Sequence, residues 1–152
     1  MNSSRGSAPS SGAPLSRCQI GAFLLLLCRW VRDPAEPVSL LAVLKHQFAS
    51  IGRSPDVLHK LVSEIERESL RGPRRHSTLD DLADRLENPR NENEDDERKK
   101  KPRPNCAALI RDIDRLHYPA RAAFFDAQVD GKAAAEAIGR RAEAIAGGAH
   151  IW

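Results

Sequence analysis

Five side chains near the middle of the sequence, Arg98, Lys99, Lys100, Lys101 and Arg103, form a run of positive charge that could bind an anionic surface. With Pro102 and Pro104 they make the string RKKKPRP, which has the density of short basic motifs read by nuclear import receptors, where an extended strand lays lysines along an acidic groove. Directly before it stand Glu92, Glu94, Asp95, Asp96 and Glu97. No aromatic residue interleaves with the lysines, so there is no stacking platform for single-stranded nucleic acid, and the neighbouring acids repel phosphate. The expected ligand is therefore an acidic protein surface or an import receptor, with direct nucleic-acid contact as an alternative. In the unbound chain the acidic half is expected to fold back on the basic half, a contact that salt would weaken.

A second candidate is Ser77. It follows Arg74, Arg75 and His76, a pattern that resembles the recognition sequence of basophilic protein kinases. Ser77 also stands where a helix could begin, so a phosphate there would meet free amides and the positive helix end.

The remaining reactive residues suggest no catalysis. His46, His59, His76, His117 and His150 include no pair four apart, and Cys18, Cys28 and Cys106 include no CxxC, so no metal site is expected. The cysteines read as partly buried free thiols, and His59 and His117 as core-edge histidines beside apolar stripes. Cys106 and His117 would lie about 16 Å apart on one helix, too far for a catalytic pair. With no glycine-rich phosphate loop and no serine nucleophile elbow, no cofactor is expected and an enzyme is the minority reading.

These residues must be held by a chain of 152 residues with 5% aromatic and 30% charged side chains, 9 glycines and 10 prolines. That composition predicts a small core of Leu, Ile, Val and Ala. A net charge of +3 does not by itself argue for nucleic acid, because phosphate binding needs cations gathered on one surface.

The first acidic residue is Asp33, and the preceding stretch is basic and serine-rich, as an organellar transit peptide would be. Within it the apolar run 20–28 has the length of a secretory signal core, but no small-x-small cleavage site follows. Gln19 and Arg29 fence this run at about half the ~20 residues a membrane span requires, so no transmembrane segment is expected. The preferred reading places residues 1–14 in a disordered tail and residues 15–31 in an apolar core helix.

Hydrophobic spacing then predicts a helix carrying Leu41, Leu44, Phe48 and Ile51, after Pro34 and Pro37 have ended the first segment. Ser54 and Pro55 start a third helix with Val57, Leu58, Leu61, Val62 and Ile65 on one face and Lys60, Glu64, Glu66 and Arg67 on the other, stopped by Gly72 and Pro73. Ser77 or Thr78 opens a short helix with Leu79, Leu82, Ala83 and Leu86 inward. Asn105 is expected to cap a helix with Cys106, Leu109, Ile110, Ile113, Leu116 and His117 on its stripe, broken at Tyr118 and Pro119. An alanine-rich helix then runs to Gly147 and needs a partner surface, because alanine buries little area.

The chain is thus expected to be all-α, with a flexible N-terminus, a helical unit at 15–88, a disordered acidic and basic linker at 89–104, a helical hairpin at 105–147 and a tail at 148–152. Its expected role is a non-enzymatic protein-protein interaction or regulatory adaptor, nuclear or cytoplasmic, docking partners through apolar helix faces and the basic string. Rival expectations are a secretory, organellar or membrane-associated protein addressed by residues 15–31, and a small nucleic-acid-binding accessory protein. A homo-oligomer is compatible with the alanine-rich helix.

Overall fold

A computed structural model describes residues 18–89, 101–125 and 131–148, with side chains given for 18–89, 101–117 and 132–148. The described chain is all-helical, with six α-helices and no strand among the described residues. Expectations for residues 1–17, for the acidic run and for Arg98, Lys99, Lys100 and His150 fall outside it.

Helix α1 (Gln19–Trp30) begins at Cys18, whose sulfur accepts the Gly21 amide at 3.2 Å. Its apolar spacing turns Phe23, Leu27 and Trp30 inward, all fully buried. Trp30 satisfies its ring N–H by donating to the Pro34 carbonyl at 2.9 Å, which ties the following turn to the helix end. Pro37 does more than end the first segment. It occupies the first position of α2 (Pro37–Leu44), where its missing N–H would have had no intrahelical partner. Glu36 caps that helix, accepting the Val38 and Ser39 amides at 2.9 and 2.6 Å, and the Ser39 hydroxyl, followed by these two amides, holds its carboxyl below the usual range.

The second helix ends at Leu44, so Phe48 and Ile51, expected on its stripe, lie beyond it, and the chain then turns where Ile51 has φ +49 and Gly52 φ +66. Both Ser50 and Ile51 donate their amides to the Ile145 carbonyl, at 2.9 and 2.8 Å, so this turn closes on the end of the last helix. Helix α3 (Pro55–Ile65) starts at Ser54 and Pro55 as expected and buries Leu58, Val62 and Ile65. It continues into a wide π-type turn, Glu66–Leu70, which keeps Leu70 buried. In α4 (Leu79–Glu87), Thr78 is the cap: its hydroxyl accepts the Asp81 amide at 3.1 Å, and Asp81 reciprocally accepts the Ser77 amide at 3.1 Å.

Helix α5 (Pro104–Phe125) begins one residue before Asn105, with Pro104 at a position that needs no amide donor. Contrary to expectation, it runs through Tyr118 and Pro119. A proline there removes one backbone hydrogen bond, a cost of about 3 kcal/mol or more that a helix packed on three neighbours can absorb. Those neighbours are α3, α4 and α6 (Gly131–Ile145). The surface the alanine-rich α6 requires is supplied by α5 and α1.

The helices before and after residues 90–100 share one apolar cluster, from Phe23 and Leu27 through Leu40, Ile65 and Leu82 to Leu109, Ile110, Ile113 and Ile145. Each such side chain contributes roughly 1.5–3 kcal/mol on burial. Within it lies a buried cation: Arg141 is 3% exposed, donates to the His117 carbonyl at 2.5 Å, and sits 5.5 Å from the Trp30 ring centre. His117 is buried at 2% exposure and meets Trp30 edge to face, whereas His59, also expected at the core edge, is exposed. Of the three free thiols only Cys106 is buried; Cys18 and Cys28 are exposed.

Candidate functional site

Six basic side chains line one groove of about 260 Å³. One wall is the π-type turn and its exit, contributing Arg67, Glu68, Ser69 and Arg71. The extra residue per turn there interrupts the regular α spacing just as the polar face of α3 reaches this end of the molecule. Gly72, at φ +96, then turns the chain so that Pro73, Arg75 and His76 continue the lining. The opposite wall is α4, which offers Leu82, Arg85 and Leu86, and the third is the chain entering α5, with Lys101 and Arg103. Arg67, Arg71, Arg75, Arg85, Lys101 and Arg103 thus face a single lining carboxylate, Glu68.

Several of these charges are already engaged. Glu68 Oε1 accepts from Arg67 Nε at 3.1 Å and Arg103 Nη2 at 3.2 Å, while Arg103 Nη1 reaches Glu64 at 3.3 Å. The Arg103 amide also donates to the Leu86 carbonyl at 2.7 Å, fastening this segment to the end of α4. Arg85 pairs with Asp81 at 3.2 Å. Arg71 and Lys101 are exposed and have no ion-pair partner within 4 Å among the described residues, although Arg71 acts on Glu66 at longer range. They are the groove's most available cations.

The loop that frames the groove is clamped from behind. Arg74 grips Asp33 through both guanidinium ends, at 2.6 and 3.0 Å, and donates to the carbonyls of His76 and Ser77 at 2.8 and 3.2 Å. The Arg74 guanidinium holds the Asp33 carboxyl below its ordinary value. His76 is 4% exposed and its Nε2–H donates to the Ala35 carbonyl at 2.9 Å. Burial pushes its pKa down, so it is the neutral ring that the site accommodates best.

The sequence-derived candidates are therefore divided. Lys101 and Arg103 line one groove, but Arg103 is committed to Glu64, Glu68 and Leu86. Ser77 is exposed and immediately precedes the Thr78 cap rather than providing it. A phosphate on Ser77 would consequently lie close to the Asp81 carboxylate bound at its own amide, instead of capping α4 directly. Sequence reasoning assigned Arg67 to a solvated helix face and missed Arg71 and Arg85 altogether. The available signal was the recurrence of Arg67, Arg71, Arg74 and Arg75 within nine residues beside a glycine-proline turn.

Burial and the neighbouring Glu64 push the Cys106 thiol up to about 11, the reverse of an activated nucleophile. Among the described residues no three His, Cys, Asp or Glu side chains gather as metal ligands, and no helix is long and apolar enough to cross a membrane. No protein-family model, curated protein or solved structure matches this chain.

Proposed function

We propose that this chain is a non-enzymatic protein-binding adaptor whose cationic groove docks an acidic segment of a protein partner. The observation that carries this reading is the groove itself: three chain segments converge six positive side chains on one space lined by one carboxylate. Within about 4 Å of a unit charge at a protein surface, each opposite charge is worth roughly 4 kcal/mol before desolvation is subtracted, so six cations against one lining carboxylate, with Arg71 and Lys101 outside any ion pair among the described residues, favour an incoming anion. Pro89 adds a partly exposed apolar contact on the same lining, which suits a peptide better than a small inorganic ion, while Leu82 and Leu86 behind it are buried in the core. The apolar helix faces, the other docking element expected from sequence, are largely spent on the core; among the described residues the large apolar side chains left exposed, Leu25, Val38 and Val57, stand on three different helices.

The test is fluorescence anisotropy of a labelled glutamate-rich decapeptide titrated with the full chain at two salt concentrations. Binding should weaken as salt rises, and replacing Arg71 and Lys101 together by alanine should weaken it about tenfold or more. Equal affinity for the variant and the parent chain, or no binding at low salt, would overturn the proposal.

A further inference from the structure

Resting on that adaptor reading, we propose that the anion the groove is shaped to take is a phosphoryl group, carried on a serine or threonine side chain of the partner segment. Five of the six lining cations are guanidinium groups and only Lys101 is an ammonium. A guanidinium fork donates two parallel N–H bonds to two oxygens, whereas lysine offers a point charge, so an arginine cluster is selective for anions that present several oxygens at once.

The placement of the donors narrows the choice further. Arg71 follows the π-type turn, Arg85 comes from α4 and Lys101 from the segment entering α5, so positive groups approach one space from three elements. A carboxylate is planar and carries one charge. A phosphorylated side chain is tetrahedral, carries close to two negative charges at neutral pH, and can accept donors from three directions.

Glu68 reveals what the cluster does when no ligand is bound. Its Oε1 accepts two guanidinium donors, from Arg67 and Arg103, and so stands in as a singly charged internal anion. A doubly charged ligand can compete for those donors while also engaging Arg71 and Lys101, which have no ion-pair partner within 4 Å among the described residues. Size agrees with this. At about 260 Å³ the groove is below the ~300–1,000 Å³ of pockets that enclose drug-sized ligands, and suits one modified side chain with a flanking residue against Pro89.

The experiment uses the full chain and three labelled peptides of one sequence, bearing phosphoserine, glutamate or serine at the central position, with a single-stranded oligonucleotide of matched charge as a fourth probe. The phosphopeptide should bind about tenfold tighter than the glutamate peptide. Arg71→Lys, which keeps the charge and removes the fork at an exposed position, should weaken the phosphopeptide about fivefold and the glutamate peptide less than twofold. Glu68→Gln, which removes the internal competitor, should tighten the phosphopeptide. Equal affinities for the phosphoserine and glutamate peptides would overturn the phosphoryl assignment and leave the adaptor reading standing. Failure of both peptides to bind would overturn both, and tighter binding of the oligonucleotide would reassign the groove to nucleic acid.

Discussion

Replacing Arg141 by methionine should make the protein more stable, although it removes a buried hydrogen bond. The guanidinium is 3% exposed, and burial pushes its pKa down to about 10 from an ordinary 12.5. At about 1.4 kcal/mol per tenfold change in a proton equilibrium, carrying that charge costs the folded state roughly 3 kcal/mol. Against this stand one hydrogen bond to the His117 carbonyl and a cation–π contact with Trp30, together worth about 1–2 kcal/mol. Methionine fills a similar space without the charge, so Arg141→Met should gain about 1–2 kcal/mol. Urea unfolding followed by tryptophan fluorescence should show a higher midpoint at pH 7. The gain belongs to the protonated guanidinium; it is present below pH 10 and shrinks as pH rises through that value. A variant destabilised by 1 kcal/mol or more would refute the reasoning and mean that the charge is compensated in the folded chain.

Three further outcomes follow from local geometry. Burial lowers the pKa values of both His46 and His76, so the unfolded chain takes up these protons first as pH falls below 6.5. The urea midpoint should therefore drop between pH 7.5 and 5.5, less so in His76→Gln; a midpoint independent of pH over that range would contradict this. Gly147 has φ +74, and a Cβ there would collide with Ser50 Oγ where the turn meets α6, so Gly147→Ala should cost about 1–2 kcal/mol in chemical denaturation. Thr78→Ala should lose about 1 kcal/mol with its cap, whereas Ser77→Ala should fall within about 0.5 kcal/mol of the parent; the opposite ranking in thermal melts would reassign the cap.

Helical periodicity made most of the core legible before the structure was known. Leu58, Val62 and Ile65, Leu79 to Leu86, and Cys106 to Ile113 all lie on the faces their spacing assigns. Proline was the weaker guide, because one residue type carries opposite meanings. Pro37 and Pro104 begin helices, and Pro119 is carried inside one, since the loss of one amide bond is decided by tertiary packing that sequence spacing does not encode. Arg141 was hidden for a similar reason: an arginine in an alanine-rich segment reads as a solvent-facing charge until α1 and α5 close over it. The basic string announced its own chemistry, but the groove did not. Arg71 and Lys101 are 30 positions apart, and they share one lining where the Leu86 carbonyl of α4 holds the Arg103 amide and Glu64 and Glu68 hold its guanidinium.

The central claim, that this groove is where an acidic partner segment docks, is tested most directly by residue-resolved amide shifts in the isotope-labelled full chain during titration with the glutamate-rich peptide. Docking in the groove should give saturable shifts at residues 67–76, 82–86 and 101–103, abolished when Arg71 and Lys101 are both alanine. Shifts confined to α1 and α2, or spread evenly over the chain and unaffected by those substitutions, would contradict it.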